Sequence, residues 1–284
     1  MKKTLTALII IASLLLPLCS CRFPVSRTEE PETTTVREYV TDINGASVPV
    51  FEDVEKSAVD TAKFIRGDNG RIKYDDVSFD TLTGIDVSVF QGDINWTAVA
   101  EDGIDYVMLR IGGRGYGPDG ALYEDSRFEE NYAGAKAAGL KTGVYFFSQA
   151  ITMEEAVQEA RFVTELLTDK SLDMPVAFDW EHVDDTSART AKMTGAEITS
   201  FAKAFCDTVT TAGHDAVIYF NREHGYFNYE LSMISDYKFW YAEYADYPSF
   251  LYDYTMWQYT EKGTVAGIEG NVDINIALYD NAVG

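Results

Sequence analysis

Asp179 and Glu181 stand one residue apart in the stretch MPVAFDWEHV (174–183), directly after the apolar run Val176-Ala177-Phe178. A carboxylate taken out of water without a partner costs several kcal/mol. A strand that reads as buried therefore ends in two of them only if they are tied up structurally, hold a metal, or do chemistry. Side chains alternate along a strand, so residues 179 and 181 share one face, about 6.5–7 Å apart at Cα for a rise of ~3.3 Å per residue, and Trp180 points the other way. Two carboxylates that close repel, and the more buried one holds its proton to higher pH. An acid still protonated near neutrality beside one that is ionised is what glycosidic cleavage needs. A structural ion pair, or a site for Mg²⁺ or Ca²⁺, stays open on the pair alone.

Two further acids follow apolar residues and read as strand ends: Asp86 in GIDVSVFQG and Asp273 in GNVDINIAL. Each by itself suits a capping or loop-bracing role. Together Asp86, Asp179, Glu181 and Asp273 make a candidate four-carboxylate cluster at one mouth of a domain. Other chemistries find less support. His182, His214 and His224 show no metal-ligand spacing. GGRGYG (112–117) lacks the spacing and helix start of a phosphate loop, and there is no nucleophile elbow for a serine hydrolase. No cofactor and no metal is called for.

The elements that must position these acids begin near Gly84. Strand candidates are 83–89, 105–112, 141–149, 174–181, 215–221, 238–244 and 254–259. Between them, 127–139, 153–167 and 194–213 carry apolar residues at helical spacing, with Gly139 and Gly213 placed as C-caps. Mostly apolar strands alternating with helices predict parallel βα units, and the last third reads as strands with short connections. This describes an α/β chain folded as a βα barrel, whose active sites lie at the C-terminal ends of the strands. Residues 39–82 form an N-terminal extension in which DVEKSAVDTAKFI suits a short helix and NGRIKYDDVSF a hairpin or edge strand, with no evident chemistry. Cys206, in FAKAFCDTV, reads as a buried helical residue.

Lys2 and Lys3 precede an apolar stretch, Leu5 to Leu18, too short for a comfortable membrane span but right for a signal peptide. It ends in Leu18-Cys19-Ser20-Cys21, which resembles a bacterial lipobox. The expectation is a lipoprotein signal peptide over 1–20, lipidation of Cys21, and a polar Pro- and Thr-containing flexible tether over 21–38. The chain is then exported and lipid-anchored at the outer face of the bacterial membrane. The formal net charge of -23 argues against nucleic acid as a partner, because Lys and Arg supply most of that affinity. A monomer is expected.

The segments GIDVSVFQGDINW, YVMLRIGGRGYG, GLKTGVYFFSQA, PVAFDWE, AVIYFN, FWYAEY and MWQYTEKGTVAGIEGNVDIN occur in the order seen in the glycoside hydrolase family 25 lysozymes (muramidases), and the chain resembles that family over about residues 83–279. The resemblance implies a flattened βα barrel of about five βα units followed by three further strands, within a catalytic domain spanning 83–284. It implies cleavage of the β-1,4 bond between N-acetylmuramic acid and N-acetylglucosamine in peptidoglycan glycan strands. On the matching positions, Glu181 resembles the general acid and Asp179 the residue that steers the substrate's acetamido group or the charge at the reacting carbon. Asp86 and Asp273 would bind sugar or tune the pair. Tyr145, Tyr219, Trp240, Tyr244 and Gln258 match groove-facing positions. Many family members carry His after the third-strand Tyr, where this chain has Phe146. The alternatives are a non-catalytic peptidoglycan-binding lipoprotein on the same scaffold and a metal-dependent hydrolase.

Overall fold

The computed structural model describes residues 38–281. The signal peptide, Cys21 and nearly all of the tether lie outside the described residues. The extension opens with two antiparallel hairpins, β1 (Tyr39–Thr41) with β2 (Ser47–Pro49) and β3 (Phe64–Arg66) with β4 (Ile72–Tyr74). The barrel follows: β5 (Phe79–Val87), α1 (Trp96–Glu101), β6 (Tyr106–Arg114), β7 (Leu122–Glu124), α2 (Phe128–Ala137), β8 (Lys141–Phe147), α3 (Met153–Leu166), β9 (Val176–Asp179), α4 (Gly195–Thr211), β10 (Ala216–Asn221), β11 (Lys238–Ala242), β12 (Met256–Gly263) and β13 (Val272–Asp280).

Strands β5, β6, β8, β9, β10, β11 and β12 run parallel in that order. Strand β13 closes the ring, antiparallel to both β12 and β5, and the short β7 pairs with the end of β6. Among the described residues four crossovers are α-helical. The β10–β11 crossover is made instead by a π-helical turn (His224–Asn228) and a 3-10 turn (Leu231–Met233). Helices α1, α3 and α4 begin where side chains cap them. Thr152 accepts from the Glu155 amide, and Thr194 and Glu197 form a reciprocal capping box. Helices α2 and α4 end just before Gly139 and Gly213, whose positive φ angles of 79° and 92° stop the helix.

The core has two layers. Inside the ring, Tyr106, Met108, Met174, Ala177, Val217, Tyr219, Trp240 and Met256 pack together. Small residues make room for the rings: a Cβ at Gly84 would lie 2.1 Å from the Tyr106 ring. Between sheet and helices a larger apolar layer includes Phe146, Phe178 and Phe205, and here Cys206 of α4 is buried.

Two expectations about the acids change. Asp273 does not end a strand; it is the second residue of β13. Because β13 is antiparallel, its start lies at the mouth where the parallel strands finish. Glu181 lies two residues past the end of β9, which stops at Asp179.

The extension is built into the same unit as the barrel, and β5 already begins within it at Phe79. Val48, Phe51, Val54, Ile72 and Tyr74 are buried in the main apolar layer. The Tyr252 hydroxyl accepts from the Phe51 amide at 2.6 Å, and Arg71 pairs with Asp102 at 2.6 Å. Asp42 is fully buried at its carboxylate, accepts from the Asn44 and Ala46 amides at 3.0 and 2.8 Å, and pairs with Arg222 just past β10. Asp42→Ala is expected to lower stability by about 1–3 kcal/mol, the cost of unpairing those donors. Calorimetry should show a single transition shifted downward; a separate early transition would mean that the extension folds independently of the barrel.

Candidate active site

Strand geometry delivers all nine proposed site side chains to one groove of ≈ 300 Å³ at the barrel mouth. Asp86 comes from the end of β5, Tyr145 from β8, Asp179 from the last position of β9, Tyr219 from β10, Trp240 from β11, Gln258 from β12 and Asp273 from the start of β13. Glu181 and Tyr244 reach in from just beyond β9 and β11. Asp86 and Asp273 are direct register partners across the antiparallel seam. Trp180 faces away from the groove and packs on His224, with ring centroids 5.1 Å apart. The alternation expected for residues 179–181 thus persists although the strand has ended.

The groove floor is a hydrogen-bond chain centred on Asp86. One carboxylate oxygen, Oδ2, accepts from Gln258 Nε2 at 2.9 Å and Asn275 Nδ2 at 2.7 Å. The Gln258 carbonyl accepts from the Tyr219 and Tyr244 hydroxyls at 3.1 and 3.2 Å. The Asn275 carbonyl accepts from the Trp240 indole at 2.8 Å. These partners orient both amides so that their N–H groups face the carboxylate. Trp240 is nearly enclosed and forms floor, whereas Tyr244 is half exposed at the rim.

Asp179 and Glu181 lie within hydrogen-bonding reach of each other. Burial pushes Asp179 well above the usual carboxylate range, and the charges of Glu181 and Asp86 push it further. Burial also raises Glu181; its hydrogen bond with Asp179 opposes that rise, and the charge of Asp273 adds to it. Burial and the charges of neighbouring acids thus move both carboxyl groups toward the protonated form, Asp179 the more strongly. Burial pushes Asp86 up to about 6 against the pull of its two amide donors. Burial and the neighbouring Asp86 push Asp273 up to about 8.

The groove also contains residues that sequence reasoning passed over: Ser88, Phe90, Gln91, Arg110 and Phe147. Period-two alternation carried one step beyond Met108 and Tyr145 reaches Arg110 and Phe147. Phe146, at the position where many family members carry His, points out of the groove and packs on Phe162 and Phe205.

The model of the glycosyl hydrolases family 25 matches residues 85–268, which include Asp86, Asp179 and Glu181. The chain belongs to this family. It is 30% identical over 195 residues to the autolytic lysozyme of Clostridium acetobutylicum, a match spanning 68% of this chain and 55% of that protein. It is 28% identical over 206 residues to lysozyme M1 of Streptomyces globisporus, spanning 68% of this chain and 67% of that one. Among solved structures, the modular autolysin LytC of Streptococcus pneumoniae superposes with a TM-score of 0.60 at 22% identity, covering 85% of this chain and 61% of LytC. The lysozyme of Streptomyces coelicolor superposes at 0.57 with 24% identity, covering 68% and 90%. Both likenesses are likenesses of fold. Asp273 lies just beyond the span that the family model matches.

The raised acids make stability depend on pH in a definite direction. A carboxyl whose folded pKa exceeds its unfolded value stabilises the fold fully below the unfolded pKa, near ~4 for Asp. That contribution is lost as pH rises through the folded pKa, here about 8 for Asp273. Asp273→Asn should therefore raise the melting temperature at pH 8, by about 2–4 °C for each kcal/mol relieved, with the gain vanishing near pH 4. Thermal melts of both proteins across that range test this, and a pH-independent difference would contradict a titrating Asp273.

Proposed function

We propose that this chain hydrolyses peptidoglycan at the β-1,4 bond between N-acetylmuramic acid and N-acetylglucosamine, with Glu181 as general acid and Asp179 assisting. The observation that carries the reading is the pair itself: a buried Asp179 and a partly buried Glu181 at the end of β9, both raised above the ordinary carboxylate range and read here as holding one proton between them, in a groove lined by aromatic rings. Membership of the family and likeness to two lysozymes support it. One solved structure of LytC is described as a complex with a synthetic peptidoglycan ligand.

The geometry favours a route in which the substrate's own acetamido group takes part. A protein nucleophile and its partner acid stand about 5–5.5 Å apart and an inverting pair about 6.5–9.5 Å apart, flanking the bond. Here the two carboxyl groups stand within hydrogen-bonding reach of each other and project from one strand end. Asp179 Oδ1 is buried with no hydrogen-bond partner, an acceptor open to an acetamido N–H. A donor at Asp179 favours its ionised form and transfers the shared proton to Glu181. Glu181 then protonates the departing glycosidic oxygen while the acetamido oxygen attacks the anomeric carbon. Water opens the resulting ring, returning its proton to Glu181, and the configuration is retained.

Glu181→Gln should keep the melting temperature and lose at least ~10²–10⁴ in rate, the usual contribution of a general acid. Mass spectrometry of the muropeptides identifies the bond cut, and NMR of the first-formed anomer should show retention. Full activity in the variant would remove Glu181 from this role. A trapped sugar ester on Asp179 would replace the substrate-assisted route by a covalent one.

We further propose that Cys21 carries lipid and holds the enzyme at the outer face of the bacterial membrane. The support is the Leu18-Cys19-Ser20-Cys21 sequence after an apolar run, followed by a polar stretch. Cys21→Ala should shift the protein from the membrane to the soluble fraction. Unchanged membrane partitioning would refute the anchor.

A further inference from the structure

Arg110 is a cation set into a groove otherwise charged by four acids. It projects inward from β6 as the register partner of Tyr145. Its Nε donates to Asp125 Oδ2 at 2.6 Å, and that carboxylate is fully buried. Asp125 is itself committed, accepting from the Val89 and Arg127 amides at 3.1 and 3.0 Å. The Val89 contact ties down the turn that carries Phe90, whose ring lies 4.8 Å from the guanidinium carbon. The guanidinium is therefore held from behind through Nε and covered on one face. Its two Nη groups receive no hydrogen-bond partner among the described residues, and no groove carboxylate pairs with it.

A guanidinium immobilised in this way has paid its ordering cost in advance and offers a fork that matches a carboxylate. The acids around it select against a carboxylate anywhere else in the groove. Its charge acts on Asp179 and lowers that acid's pKa, so the two are neighbours in the groove. If Asp179 holds the acetamido group on carbon 2 of the reacting sugar, the next substituent around the ring is on oxygen 3. In N-acetylmuramic acid that substituent is the lactyl ether, whose carboxyl is a free carboxylate where no stem peptide is attached and an amide where one is. N-acetylglucosamine has only a hydroxyl there.

Resting on the hydrolase reading above, we propose that Arg110 is the specificity-determining residue of this groove, receiving the lactyl carboxylate of peptide-free muramyl residues through its Nη groups and so separating strands that carry it from polymers of N-acetylglucosamine alone. Phe90 and Asp125 are its positioning residues. Asp125 fixes the fork, and Phe90 shields it from water on one side.

The test uses binding with cleavage switched off. In the Glu181→Gln protein, calorimetry measures affinity for a peptide-free tetrasaccharide of alternating N-acetylglucosamine and N-acetylmuramic acid, and for the same tetrasaccharide with its carboxyl groups reduced to alcohols. The carboxylate form should bind about 10-fold or more tightly, as expected for a charged bidentate contact. Adding Arg110→Gln should abolish that difference while leaving affinity for the reduced form nearly unchanged. Arg110→Lys, which keeps a cation for Asp125 and so guards against misfolding, should retain part of it. Equal affinity of the Glu181→Gln protein for the two tetrasaccharides overturns the proposal, as does equal weakening of both by Arg110→Gln. Hydrolysis by the unmodified protein is scored separately, so a failure of the hydrolase reading is distinguishable from a failure at Arg110.

Discussion

Four carboxyl groups crowd the mouth of this barrel, and holding that much like charge partly out of water is the constraint around which the site is arranged. Asp86 is satisfied by two amide donors, Gln258 and Asn275. Each amide would turn over freely if its carbonyl were not also fixed, and it is fixed by ring donors: Tyr219 and Tyr244 for one, Trp240 for the other. The aromatic floor thus has an electrostatic task as well as a packing one. Asp179 and Glu181 receive no comparable donors. Burial and the charges of neighbouring acids instead raise both toward the protonated form, which lowers the charge the mouth must hold.

The closure of the ring decides which acids meet. Seven parallel strands bring their C-terminal ends to one side, and a final antiparallel strand brings its beginning there. Asp273, early in β13, thereby opposes Asp86, late in β5. The extension supports this arrangement from the rim. Arg222 is held by Asp42, and Arg66 bonds Asp246 at 2.9 Å. Glu243, beside Tyr244, accepts from the Ser249 amide at 2.6 Å and hydroxyl at 2.8 Å, and its backbone carbonyl accepts from the Trp257 indole at 2.9 Å. The loop that carries Tyr244 over the groove is therefore braced partly by residues that lie far ahead of the barrel in sequence.

Much of the site was legible because period-two alternation is a local property. Asp179 and Glu181 could be set on one face without knowledge of any neighbour, and the same rule extended from Tyr145 would have reached Phe147. Arg110 fell inside the expected strand 105–112 but drew no chemistry, because a single Arg in an apolar strand belongs to no local motif; its role depends on neighbours from other strands. Asp273 was assigned to a strand end because a short apolar approach looks alike from either direction. Whether such an acid opens or closes its strand depends on strand direction, and direction comes from pairing.

The sequence by itself determined the βα alternation, the helix stops at Gly139 and Gly213, the acidic pair and its aromatic company, because each rests on spacing within a few residues. Tertiary structure alone decided that the extension joins the barrel, that Phe146 faces helices while Phe147 faces the groove, that Asp86 meets Asp273, and that Arg110 stands with an open fork among four acids. Burial and charge coupling belong to neighbours brought together by closure of the sheet. The 186 residues between Asp86 and Asp273 in the chain carry no local mark of that meeting.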